Sequence, residues 1–275
     1  MKKWKTMKIT IGIVIAMMMI IPVFAVLPSN VSATQTYTVH YRYYDGTNFQ
    51  YIQDAYVALY RSSTLGGSYS KVADSHTDSS GTVTFDVGAG YYLYCTIKAS
   101  DDDQVEILNT NDNNNDYKWD QSSRTLVSSG QTVSVTESIY SNTEVWSCYS
   151  YIRTAHLWQL TNSGTSSDVS RVHVYYPDSN GPECDWTTGD IKIASSSEMT
   201  SQAIVTHEYG HHVQYYGQSG FSYDAIVGKM AHTTHYLYTE YSSLYGDAAF
   251  AEGWAEFFSG AVRGSSYITG GNIDS

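Results

Sequence analysis

Two histidines four residues apart, with a glutamate beside the first, constrain this chain more than any other stretch: His207-Glu208-Tyr209-Gly210-His211. On a helix, residues at i and i+4 share one face, so both imidazoles can point at one metal ion. Glu208, one step round the helix, then lies beside a water on that ion without being a ligand. The set comprises two nitrogen ligands, an open coordination position and a carboxylate able to take a proton from the water.

The helix that must hold these residues has readable ends. Ser195 with Glu198 three residues on forms a capping box. The helix runs from about Ser197 to Tyr216, and Gly217 is a natural stop. A second helix starts after Asp247 and runs to Arg263, with Gly264 ending it. It carries Glu252-Gly253-Trp254-Ala255-Glu256, two carboxylates four apart, among Ala249, Phe250, Ala251, Phe257 and Phe258. Such flanks make the helix largely buried. A buried carboxylate needs a partner, and a dication is an effective one.

From Thr36 to about Ile139 the pattern is different. Tyr37, Val39, Tyr41 and Tyr43 alternate with polar residues, Ala55–Tyr60 is another strand, and Thr77–Gly81 is a turn opening Thr82–Val87. Tyr91–Ile97 and Thr132–Val135 follow. Helical periodicity is absent, so a β-sandwich is the expected packing. The run Asn111–Asp116 lacks the Gly and terminal Glu of an EF-hand loop and reads as a solvated loop. Beyond residue 141, Trp146–Leu160 keeps an apolar helical stripe, Val172–Tyr176 alternates as a strand and Ile191–Ala194 is a short strand.

Lys2, Lys3, Lys5 and Lys8 precede an uncharged apolar stretch, Ile9–Leu27, and Val31-Ser32-Ala33 offers small residues for cleavage. Residues 1–33 therefore read as a secretory signal peptide, with an uncleaved membrane anchor as the alternative. The chain has 15 basic and 27 acidic residues, a net charge of −12, and its leader takes away four lysines and no acid. That balance argues against nucleic acid or an anionic membrane as partner. Of the three cysteines, Cys148 and Cys184 are expected to pair in an oxidising compartment, leaving Cys95 buried and free.

Two resemblances follow. The strand Asp54–Leu59, the turn Thr77–Gly81 and the strand after it resemble the small transthyretin-like sandwich modules of secreted enzymes and surface proteins. The second half, with His207-Glu208-x-x-His211 and Glu252-x-x-x-Glu256, resembles the gluzincins, the thermolysin-like zinc metallopeptidases. The spacing of a metzincin is absent, because Gln214 and Gly217 stand where its Gly and third His would be. The gluzincin resemblance implies Zn2+ held by His207, His211 and Glu252, with Glu256 orienting His207. Asp224 and Asp247 are alternative third ligands. It implies Glu208 as general base and a Tyr or His stabilising the oxyanion, for which Tyr267 is the candidate and His232, His235 and Tyr236 are substitutes. It also places an edge strand, here Glu183–Thr187, beside the active-site helix for an extended peptide or protein substrate.

The expected organisation is multidomain: a signal peptide over 1–33, an all-β sandwich over 34–140 and an α+β zincin-like domain over 141–275. The last is either a minimal version of that fold or the front part of a longer enzyme. The rival readings are an extracellular adhesion or binding protein with an inactive zincin domain, and a structural zinc site with four protein ligands, His212 or His235 being the fourth.

Overall fold

A computed structural model describes residues 35–101, 103–162, 169–217 and 246–264, the side chains of 246–250 excepted. The leader expected over 1–33 lies outside these residues.

The alternation of the first half builds two sheets. Strand β1 (Gln35–Tyr44) turns Tyr37, Val39, Tyr41 and Tyr43 inward, as its period of two requires. One side of β1 pairs in parallel with β11 (Thr132–Ile139). Its other side pairs antiparallel with β2 (Phe49–Tyr51) and then β5 (Thr82–Val87). The turn before β5 forms as expected: Asp78 Oδ1 accepts from the backbone N–H groups of Ser80 and Thr82 at 2.8 and 2.9 Å. Gly81 has φ +69°, and a Cβ there would sit 2.4 Å from the Tyr41 carbonyl, so only glycine lets this turn lie against β1. The second sheet runs β10 (Thr125–Val127), β6 (Tyr91–Lys98), β3 (Tyr56–Ser62) and β4 (Ser70–His76), with β9 (Lys118–Asp120) also on β6. Both sheets contribute to one core, through residues such as Tyr37 and Val39 from the first and Leu59, Leu93 and Ile97 from the second.

The third sheet crosses the division expected at residue 140. Its order is β13 (Glu183–Cys184), β14 (Ile191–Lys192), β12 (Val172–Tyr176), β7 (Val105–Asn109) and β8 (Asn115–Asp116). Strands β7 and β12 are parallel, with Val105 opposite Val172 and Ile107 opposite Val174. A parallel pair needs a crossover, and α1 (Thr143–Asn162) lies in that connection and packs on β7. The helix expected over Trp146–Leu160 is thus present and slightly longer. The asparagine-rich run supplies the turn and return strand of the β7–β8 hairpin. Asn113 and Asn114 adopt left-handed φ values of 52° and 58°, which asparagine tolerates.

The helix expected from Ser197 to Tyr216 is divided. The Ser195–Glu198 capping box forms and starts α2 (Ser196–Met199). Ser201 then acts as a second start, its Oγ accepting from the Ile204 N–H at 3.4 Å at the head of α3 (Gln202–Gly217). Helix α4 (Gly246–Val262) follows its expected span, and Gly264 beyond it has φ +64°. It is less buried than its composition suggests: Ala251, Ala255, Phe258 and Ser259 face inward, while Phe257 remains 48 % exposed. The architecture is mixed, with three sheets, none closed into a barrel, and four α-helices among the described residues.

The expected Cys148–Cys184 disulfide is not formed; all three cysteines are free and buried. Cys148 packs in the core from α1, where burial pushes its thiol up, and Cys184 directs its sulfur at the Gly189 carbonyl, 3.6 Å away. Both behave as small apolar residues.

Candidate metal centre

The i, i+4 spacing acts as the helix geometry requires. His207 and His211 stand one turn apart on α3, and their Nε2 atoms are 3.1 Å from each other. Glu252 reaches them from α4, its Oε2 lying 3.2 Å from His207 Nε2 and 3.4 Å from His211 Nε2. Both imidazoles are buried, and the carboxylate is about one-third exposed. Among the described residues this is the group of ligating side chains brought together.

These separations allow a test of fit. A tetrahedral ion about 2.0–2.2 Å from nitrogen and oxygen ligands sets those ligands about 3.3–3.5 Å apart. The three observed separations lie at or just below that range, so the atoms are spaced like three corners of such a site. The charge balance agrees. Burial alone raises the Glu252 carboxyl, but the two imidazoles beside it outweigh that and hold it well below the usual carboxylate range.

The packing of α4 against α3 sets this convergence. Thr206 Oγ1 and Ser259 Oγ are 2.8 Å apart, and Ser259 Oγ also donates to the Ala203 carbonyl at 3.0 Å. Between them and the ligands lies Gly210, where a Cβ would meet Ala255 Cα at 3.1 Å and Phe258 Cβ at 3.3 Å. Gly210→Ala therefore forces α4 outward, at a cost of about 1–3 kcal/mol. Alanine's better helix propensity, worth about 1 kcal/mol, offsets this in part. The expected outcome is a melting temperature lower by several degrees together with weaker metal binding, because Glu252 moves with α4. Unchanged melting and metal affinity would show that the two helices need no close approach here.

Around the ligands, His211 Nδ1 is 3.1 Å from Gln214 Oε1, and the Trp186 ring stands edge-on to His211 at 4.7 Å between centroids. Trp186 belongs to the loop after β13, and the last two turns of α3 grip that loop. Tyr215 and Tyr216 donate to the carbonyls of Thr187 and Thr188, each at 2.8 Å. His212 sets Nδ1 2.6 Å from the Gly189 carbonyl and Nε2 2.8 Å from the Ser170 carbonyl. With both nitrogens engaged by main chain, His212 is not the fourth ligand of a closed site. His235, the other candidate, lies outside the described residues.

Glu208 is buried on α3, and its charge adds to burial in pushing up the Cys184 thiol. Strand β13 forms the outer edge of its sheet, as expected, with the inner neighbour at Ile191–Lys192. His207 Nδ1 is buried, and no described residue hydrogen-bonds to it. Glu256 lies one turn past Glu252 on α4, half-buried. Tyr267, His232, His235, Tyr236 and Asp224 lie outside the described residues, as does the side chain of Asp247. Gln214 and Gly210 were not singled out by sequence as site residues, and Trp186 was expected only as part of the substrate edge Glu183–Thr187. Only Gln214 carried a local signal, an amide three residues after a ligand histidine on the same helix. Comparison with protein-family models, with curated proteins and with solved structures gave no match.

Proposed function

We propose that this chain is a secreted zinc metallopeptidase, its N-terminal sheets forming a sandwich module beside a gluzincin-like catalytic region. The observation that carries the reading is the convergence of His207 Nε2, His211 Nε2 and Glu252 Oε2 from two helices, with Glu208 buried on the same helix as the histidines. Two imidazoles and one carboxylate suit zinc and leave a coordination position open. Zinc bound there would bring a water's pKa toward neutrality and polarise the scissile carbonyl. The remaining work falls to this chain's own groups. Glu208 takes a proton from the attacking water and returns it to the leaving amine. Among the described residues β13 is the outer strand of its sheet, an edge on which an extended peptide could pair, and Trp186 walls the site beside His211. Secretion rests on the leader; among the described residues no helix is long and apolar enough to cross a membrane.

The test is metal analysis of the purified protein, followed by hydrolysis of a denatured protein substrate before chelation, after it and after zinc return. The expected result is about one zinc per chain, with activity lost on chelation and restored by zinc. A folded protein that takes up no zinc at micromolar free metal would overturn the reading.

A further inference from the structure

A neutral imidazole carries one proton, and it ligates a metal through Nε2 only when that proton sits on Nδ1. The two ligand histidines differ in what their Nδ1 atoms meet. His211 Nδ1 faces Gln214 Oε1 at 3.1 Å, in a pocket where both side chains are buried. An amide oxygen only accepts, so the proton lies on His211 Nδ1 and its Nε2 is bare. At His207 Nδ1, also buried, no described residue supplies such an acceptor.

We propose that Gln214 is a positioning residue that presets His211 as its Nδ1–H tautomer, so that Nε2 of this histidine is presented bare toward the metal position, a support that His207 lacks among the described residues. The proposal rests on the metal-site reading of the same residues. It divides two histidines that a sequence motif treats as equivalent. It also gives Gln214 a role beyond filling space, since an apolar side chain of equal size would pack in its place without selecting a tautomer.

The experiment is long-range 15N–1H correlation of the histidine rings in the zinc-free, full-length protein, which separates Nδ1–H from Nε2–H rings. Wild type is expected to show His211 as Nδ1–H; His211 found as Nε2–H overturns the proposal without any variant. In Gln214→Leu, His211 is expected to lose its Nδ1–H preference and zinc affinity to fall about 10–100-fold. Gln214→Glu, which keeps an acceptor at that position, should retain both, and a purely structural role would not predict that rescue. A Leu variant with unchanged His211 tautomer and unchanged zinc affinity sinks the proposal and leaves the metal reading standing. The Nδ1–H tautomer of His211 in a wild-type protein that takes up no zinc would sustain the proposal and sink the metal reading.

Discussion

Glu208→Gln should leave the protein folded and zinc-loaded while lowering peptide hydrolysis by about 10²–10⁴. Glutamine has the same shape and still hydrogen-bonds, but its amide cannot take up a proton at neutral pH. Helix geometry keeps Glu208 out of the ligand set: the atoms that converge belong to His207, His211 and Glu252. The substitution also removes a charge from a site only 7 % exposed, so stability should hold or rise slightly. Zinc content and melting temperature measured beside turnover separate the possibilities. A zinc-replete Gln variant turning over within tenfold of wild type would remove Glu208 from the role of general base.

Glu252→Ala should do the opposite, sparing the fold and losing the metal. Structural zinc sites are worth about 10–16 kcal/mol in total, so removing one of three ligands costs roughly 4 kcal/mol, or about 10³-fold in affinity. The fold should survive because other residues hold α4 on α3: Ser259 against Thr206 and Ala203, and Ala255 and Phe258 against Gly210. Glu252 itself is about one-third exposed at the rim of that contact. Competition titration with a zinc chelator, read beside thermal melting, checks both halves of the expectation. An Ala variant that holds zinc as tightly as wild type would move the third ligand elsewhere, with Asp224 and Asp247 the first residues to examine.

The local features were legible because local spacing carries them. Strand β1 could be read from Tyr37, Val39, Tyr41 and Tyr43 because a strand repeats every two residues. The Ser195–Glu198 box could be read because both partners lie within one turn. The pair His207 and His211 could be read for the same reason, and so could Gln214 have been. The break at Thr200–Ser201 was missed because nothing in an apolar pattern distinguishes a continuous helix from one restarted by a serine. The Cys148–Cys184 pairing failed because a cysteine count says nothing of direction: one sulfur faces the core and the other a loop carbonyl.

What the sequence determined by itself is therefore everything set within one helical turn or along one strand: the two imidazoles on one face, the caps, the turn at Asp78–Gly81 and the inward tyrosines. Tertiary structure decided which distant segments meet. It paired Val105–Asn109 with Val172–Tyr176 across the expected domain boundary, brought Glu252 to the histidines, and set Trp186 against His211 through carbonyls gripped by Tyr215 and Tyr216. The physical reason is that these contacts depend on close approach, as of Ala255 to Gly210, and on main-chain acceptors that no side-chain pattern records.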